Sequence, residues 1–475
     1  MFSKKQFNPP LVFWFATAFT SGFVILSLEM LGFRFLAPYF GYSTYVWGSL
    51  LGVIMAALSA GYYFGGVLAD RKPEGILALN AILFANGYLI FIALFYKAIL
   101  DNLIVSDIIW GSILASSFLF GPPMVLLGMM SPFLIRLLAQ ENTVGSIAGK
   151  IFAISTGGSI LGTFLTSFVL IPELGSFKTL VALILALAIL YISGSLNRGW
   201  NLATGGGFIV LALLLPGNKI GAEIAYQTES AYNLIQVKKE KNFYTLALNG
   251  GKRAHSSYNK GFVSTGSYFD FMLIGPTLTQ SKNLLILGAG AGTSIRQFLK
   301  NFPNLQVDAV EIDRKIIAVG EKFFDWPHSP NLKIFVEDAR PFLNKASKFY
   351  DLIEIDTFAG GPFIPFYLST KEFFVKVKEK LSPNGWMMMN VITGKKSPLF
   401  SDSLGKTVQT VFPNLYILDL GGNLLFFAPK RHIELAELKL ILENVAFSHL
   451  KNLAGLALER IYKSSPKKNA LVFTD

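Results

Sequence analysis

Six residues between positions 288 and 356 have types and spacing that could do chemistry together. Gly288, Gly290 and Gly292 alternate within LLILGAGAGTSIRQFL, directly after an apolar run. Glycine there lets the chain turn tightly and lets its backbone approach a ligand with no Cβ in the way. Glu311 follows about 20 residues later, the spacing at which a strand-end acid takes both hydroxyls of a ribose. Asp338 and Asp356 end two further apolar runs, LKIFVEDA and YDLIEID. Pyrophosphate-binding dinucleotide sites use a GxGxxG spacing; glycines at every second position, with acids at later strand ends, suit a nucleoside better. His255, His328, His432 and His449 have no metal-ligand spacing, so no metal is expected. The chain has no cysteine, which excludes disulfides, cysteine–zinc sites, iron–sulfur clusters and a thiol nucleophile.

Glycines and acids at successive strand ends require an open α/β sheet, whose ligands bind outside the carboxyl ends of the strands. The runs NLLILG, QVDAVEI, LKIFVE, YDLIEI and GWMMMNVI read as its strands, with helical stretches such as STKEFFVKVKEKL between them. The Met387–Met389 run is then core packing. LYILDL and NLLFFAPK, separated by Gly421 and Gly422, read as a closing antiparallel hairpin. Residues 276–475 are therefore expected to form a mostly parallel sheet with helices on both faces. Upstream, AYNLIQVKK and FYTLALNGGK alternate apolar and polar residues around an Asn249-Gly250-Gly251 turn, which predicts a small β-hairpin lobe over 218–275. The segment 434–462 reads only as helical and amphipathic.

The first part of the chain has a different composition. Of 475 residues, 52% are hydrophobic and 15% charged. Residues 1–217 hold 17 charged side chains and the other 258 hold 55, or about 8% against about 21%, where soluble chains average about 25%. Apolar runs recur at about 11–33, 45–67, 76–96, 108–134, 151–171, 179–196 and 200–216. A spanning helix needs roughly 20 apolar residues, so five qualify and the last two are marginal, giving six or seven spans over 1–217. With the N-terminus inside, the inner loops receive Lys4, Lys5, Arg71, Lys72, Arg136, Lys150 and Arg198, and the outer loops Arg34, Lys97 and Lys178. Glu29, with Arg34 five residues on, is a structural ion pair or a functional acid. Gly61, Gly65, Gly66, Gly157, Gly158 and Gly162 predict close helix approach, and Pro122, Pro123 and Pro132 a kink.

The stretches LLILGAGAGTSIRQFL, VDAVEIDRKII, VEDARPFL, YDLIEIDTFAGGP and STKEFF resemble the spermidine synthase family, whose fold is that of class I AdoMet-dependent methyltransferases. SGFVILSLEMLGFRFLAP and ADRKP are similar to the N-terminal part of membrane-fused members. The resemblance implies a multi-pass α-helical membrane domain fused to an α/β Rossmann-like domain of the class I methyltransferase type, preceded by the small lobe. It implies decarboxylated AdoMet or AdoMet as co-substrate. Gly288, Gly290 and Gly292 would pass close to it, Glu311 would bind its ribose and Asp338 its adenine amino group. Asp356 matches the first aspartate of the family's DSSDP-type motif, which holds and deprotonates the attacking amine. The chain departs at Ala359, where the second aspartate falls, and at Ala291, where the acid of the GGGDG loop falls. The YHE stretch aligns with Phe269, Asp270 and Phe271, and the glutamine after the lobe's tyrosine becomes Asn233, after Tyr232. Tyr232, Asn233, Asp270 and Tyr367 are the candidate substrate contacts.

The expected function is a membrane-anchored aminopropyl transferase. The alternatives are a methyltransferase acting on a membrane-delivered acceptor and a non-catalytic nucleoside-binding transporter or sensor. Expected partners are the lipid bilayer, a small-molecule amine or lipid-soluble acceptor and, as an option, a second copy of the chain. The formal net charge is +12, of which +9 lies after residue 217. With lysine and arginine dispersed and no nucleic-acid-binding signature, that surplus reads as attraction to anionic headgroups rather than to nucleic acid. The protein is expected in the cell membrane with its C-terminal part cytoplasmic.

Overall fold

The computed structural model describes residues 9–475 except 42, 104–106, 141, 196–198, 216–222, 252, 359–363, 394–397, 446–449, 466 and 468. Ala359 and His449 thus lie outside the described residues. The chain divides into two compact units, Met1–Gly221 with Thr228–Tyr232, and Ala222–Gln227 with Asn233–Asp475.

In the first unit, six helices are long and apolar enough to cross a membrane: Leu11–Phe40, Thr44–Arg71, Gly75–Leu103, Ile108–Leu138, Val144–Leu174 and Ser176–Gly194. The sixth, marginal by composition, runs to 19 residues. The seventh apolar run gives only the shorter helix Gly199–Leu214, about 24 Å long at 1.5 Å per residue against a hydrocarbon core of about 30 Å. The proline-rich run does not stay one regular helix: it is broken by a turn at Met129, between Ile108–Gly128 and Met130–Leu138.

Four of the six glycines named above are required by packing. A Cβ at Gly158 or Gly162 would overlap the carbonyl oxygens of Phe19 or Phe23 in the first helix, one at Gly61 the carbonyl oxygen of Val125, and one at Gly65 would lie 2.7 Å from Met129 Cα. Gly66 and Gly157 face open space and do no such work. Hydroxyls add side-chain hydrogen bonds: buried Thr166 Oγ1 donates to Ser27 Oγ at 2.8 Å and half-buried Ser159 Oγ to Gly22 O at 3.2 Å. Glu29 and Arg34 form no ion pair. Arg34 donates instead to the carbonyls of Ser230 and Ala231, while Glu229 accepts from Ser176 N at 3.1 Å and Ser176 Oγ at 2.5 Å. An acid at that position complements the positive end of the helix Ser176–Gly194.

Apart from Thr228 and Glu229 at the end of β1, which fall in the first unit, the second unit contains both sheets. Strands β1 (Ile224–Glu229), β2 (Leu234–Glu240), β3 (Phe243–Leu248) and β4 (Ser256–Asn259) form a four-stranded sheet in that order. The large sheet contains β5 (Asn283–Leu287), β6 (Gln306–Val310), β7 (Leu332–Phe335), β8 (Tyr350–Ile355), β9 (Leu381–Ile392), β10 (Tyr416–Asp419), β11 (Asn423–Pro429) and β12 (Ile461–Lys463). Its spatial order is β12-β10-β11-β9-β8-β5-β6-β7. Strands β7, β6, β5, β8 and β9 run parallel; β11, β10 and β12 complete the sheet antiparallel.

The continuous apolar runs arise because both faces of the sheet are covered. Leu284, Ile286 and Met388 enter one core; Leu285, Leu287, Met387 and Met389 enter the other. The segment left unresolved by sequence forms the helices Leu435–Glu443 and Lys451–Arg460 and the edge strand β12.

Two adjacent glycines test the packing argument in the first unit. Gly158→Val is expected to cost at least the 1–3 kcal/mol typical of overpacking, because the obstruction is backbone, whereas Gly157→Val changes stability little. Thermal unfolding of both variants in detergent reads the difference directly.

Candidate active site

Strand order reverses between β5 and β8, which leave the sheet side by side, and such a switch point opens a crevice at the carboxyl ends. The glycine loop departs from β5 and Asp356 from β8. The two ends are locked together: Asp356 N donates to Leu287 O at 2.9 Å, and Gly288 N and Ala289 N donate to Val310 O at 2.9 and 3.0 Å. Gly288 has φ +89°, and a Cβ there would overlap the backbone carbonyl of Asp356. At Gly292, φ +86°, a Cβ would lie 2.6 Å from the Trp326 ring. Both glycines are thus demanded by the protein's own packing. The four-stranded sheet braces the same loop. Ala291 N donates to Ser256 Oγ at 2.8 Å, and Thr293 Oγ1 accepts from Ser257 N at 2.9 Å and donates to Ser257 O at 3.0 Å. Ala291 is fully buried in an apolar cluster with Ile316, Val319 and Phe324, surroundings that would strongly penalise the acid of the related loops.

Glu311 follows β6 and is buried. Its Oε2 accepts from Gly290 N at 2.8 Å and its Oε1 from Asp313 N at 3.0 Å. Burial pushes its carboxyl up to about 7, against the pull of those amides. Asn233 lies behind it: Asn233 Nδ2 donates to Asp313 Oδ2 at 3.3 Å and Asn233 Oδ1 accepts from Asn249 Nδ2 at 2.8 Å. Asp338 caps the helix Ala339–Lys345, accepting from Arg340 N at 2.8 Å on Oδ1, while Tyr367 donates to its Oδ2. Arg340 pairs with Asp475 and reaches Tyr367 O at 3.2 Å, so the side of the site containing Asp338 and Tyr367 is held by the last residue of the sequence.

Asp356 is half-buried just beyond β8. Tyr268 OH donates to its Oδ2 at 2.6 Å and Asn390 Nδ2 to its Oδ1 at 2.9 Å; Asn423 Nδ2 in turn donates to Asn390 Oδ1 at 2.7 Å. Burial raises the carboxyl to about 6, and the two donors hold it from rising further. Burial, reinforced by Asp356, pushes the Tyr268 phenol well above its ordinary range, so it acts as a donor.

Hydrogen bonds to their side chains divide the sequence-derived residues into three groups. Glu311, Asn233 and the glycine loop form one connected group, Asp338 and Tyr367 a second, and Asp356 a third. Tyr232 belongs to the first unit and is 49% exposed. Asp270 corrects the expectation of a substrate contact. Its Oδ1 accepts from Thr265 N (2.9 Å), Thr265 Oγ1 (3.1 Å) and Gln297 Nε2 (2.5 Å), and its Oδ2 from Ser264 Oγ (2.5 Å) and Gly266 N (2.8 Å). It is spent on shaping the loop 264–267 and is 5% exposed.

Sequence reasoning missed Tyr268, Asn390 and Glu354. The aligned position for the family tyrosine was Phe269, and the hydroxyl arrives one residue earlier. Asn390 and Glu354 had a signal, each being a polar residue flanked by apolar ones inside a buried strand run. Because Tyr268 and Asn390 both stabilise the ionised form of Asp356, Tyr268→Phe or Asn390→Leu is expected to raise its titration midpoint above about 6. The expected rise is about 1–2 units, the usual worth of a hydrogen bond to a charged group, read by isotope-edited infrared titration.

Residues 272–416 match the spermine/spermidine synthase domain model. A probable polyamine aminopropyl transferase of Bifidobacterium longum is 35% identical over 196 residues, covering 40% of this chain and 43% of that protein. A polyamine aminopropyltransferase of Corynebacterium efficiens is 24% identical over 387 residues, 73% of this chain and 71% of its own. A probable spermidine synthase structure from Corynebacterium glutamicum superposes with a TM-score of 0.41 at 20% identity, covering 53% of this chain and 96% of that one. The chain thus spans less than half the length of the Bifidobacterium relative. That family match covers residues 272–416, less than a third of the chain.

Proposed function

We propose that the protein is a membrane-anchored transferase that moves an aminopropyl group from decarboxylated AdoMet to an amine acceptor. The observation that carries this reading is Asp356. It is a carboxylate at the switch point, held by two donors, with its pKa raised to about 6. An alkylammonium is not nucleophilic until a base takes its proton, and a base titrating near 6 is ionised at neutral pH yet retains proton affinity. The co-substrate supplies a sulfonium carbon already activated for displacement, so the protein's task is alignment and deprotonation. The acceptor nitrogen gives one proton to Asp356, its lone pair forms the new N–C bond, and the C–S bond breaks with its electrons passing to sulfur.

The donor set fits a nucleoside. Glu311 offers two carboxylate oxygens to vicinal hydroxyls, and Asp338 offers one to an exocyclic amine. The relatives named aminopropyltransferases support the transfer itself. Ala291 favours a second reading, methyl transfer from AdoMet: its apolar packing leaves no acid there for the propylamine end of the donor. Six apolar helices of 19 to 31 residues support anchoring in a bilayer. An even number of spans with the basic loops inside is consistent with a cytoplasmic second unit. A lipid-soluble or membrane-delivered amine is the acceptor that such an anchor would favour.

Asp356→Asn is expected to lower turnover about 10²–10⁴-fold, the usual worth of a general base, without weakening donor binding. Unchanged turnover would remove the assignment. Calorimetry with decarboxylated AdoMet, AdoMet and methylthioadenosine separates the two transfers, and binding of none sinks both. Glu311 adds a pH signature. Its carboxyl titrates near 7 without ligand, and hydroxyl donors favour the ionised form. Affinity should therefore rise with pH and level off above about 7, and Glu311→Gln should flatten the rise.

A further inference from the structure

We propose that Glu354 is carried as a neutral carboxylic acid whose proton ties β8 to the helix behind the glycine loop, and that it is a positioning residue leaving Asp356 as the ionised carboxylate at the end of β8. The kinetic consequence rests on the transferase reading; the protonation itself does not.

Glu354 is completely buried in β8, two residues before Asp356 and therefore on the same face of the strand. Its neighbours in register are Ile286 of β5 and Met388 of β9, both apolar. The helix Thr293–Asn301 packs over that face, and Ser294 Oγ donates to Glu354 Oε1 at 2.7 Å. Oε2 is buried with no donor among the described residues. Gln297, three residues after Ser294, lies on the same side of that helix. Its Nε2 is taken by Val263 O at 3.0 Å and Asp270 Oδ1 at 2.5 Å, while its buried Oε1 has no donor. Two facing elements thus each present an acceptor that lacks a proton. An ionised Glu354 leaves both unsatisfied, in apolar surroundings with one hydrogen bond to hold its charge. A proton on Oε2 converts one acceptor into the donor that this side of the helix lacks, directly or through one water.

The titratable groups facing Glu354 point the same way. They are Asp356 from the loop after β8 and Tyr268 from the helix Tyr268–Met272; β5 and β9 contribute none at their paired positions, and no cation pairs with it among the described residues. Burial, and then the charge of Asp356, push the Glu354 carboxyl up to about 8 while Ser294 pulls it down. Asp356, nearer the surface with two donors, ionises first. One strand therefore presents an acid and a base two residues apart, and the base lies at the crevice. Above about pH 8 a second negative charge would develop beneath Asp356 and the tie to the helix would loosen.

The test compares full-length wild-type protein with Glu354→Gln, whose amide keeps a donor and an acceptor but cannot ionise. At pH 7 the variant should lose a protonated-carboxyl C=O band in the infrared difference spectrum; an unchanged band would overturn the proposal whether or not the protein transfers aminopropyl groups. The fold favours the neutral acid, so raising the pH from about 5 to about 8 should lower the wild-type melting temperature relative to that of Glu354→Gln; parallel curves would count against it. In turnover, wild type should decline through about pH 8 and the variant should not, with the acid limb near 6 unmoved in both. An alkaline limb that persists in Glu354→Gln would refute the positioning role. Absence of turnover with any donor would instead refute the transferase reading and leave the infrared result to decide this one.

Discussion

The junction of β5 and β8 is the constraint on which the rest of the second unit depends. A parallel sheet must reverse its order somewhere, and where it does, two strand ends diverge and leave backbone groups to satisfy. Here Asp356 N reaches back to Leu287 O, and the chain after β5 turns so tightly that no Cβ fits at Gly288. That single abutment sets the separation between the glycine loop and Asp356. It also fixes the start of the helix Thr293–Asn301, and through Ala291 and Thr293 it recruits the four-stranded sheet as a brace. Substituting the loop would therefore disturb Asp356, the helix and the small sheet together.

Around this junction the protein concentrates buried acids, and their environments separate them. Glu311 has backbone amides on both oxygens, Asp356 has a phenol and an amide, and Glu354 has one hydroxyl. Each is pushed up by burial, to about 7, about 6 and about 8 respectively. The acid with the fewest donors rises furthest. Such a gradient separates the ionisation of chemically similar side chains. Asp270 is the opposite case: with five donors it is an architectural anion, and its carboxylate serves the loop 264–267.

The helical unit solves a different problem. Its helices meet through close contact at small residues. Gly158 and Gly162 let helix backbones touch, and the Ser27–Thr166 hydrogen bond satisfies polar groups locally. Adjacent Gly66 and Gly157 face open space, so the glycine pattern in the sequence marked the right helices but not which glycine carried each contact.

Much of this architecture was legible in one dimension, because it follows from local chemistry. Apolar length marked the long helices, and continuous apolar runs marked strands buried on both faces. Glycine or acid at each run's end marked the crevice, since strand ends are where an α/β sheet exposes its chain. The marginal sixth helix was under-read because its ends are polar, and β12 because three edge residues carry too little pattern. What only the tertiary structure decided were pairings across the sheet and between layers. Tyr268 rather than Phe269 reaches Asp356, Asn390 crosses from β9, Arg34 turns from Glu29 to backbone carbonyls, and Asp270 is consumed by its own loop. Residue type and spacing dictate which side chains can act. Which of them remain available depends on the neighbours that burial brings within hydrogen-bonding distance, and those neighbours lie far apart in the chain.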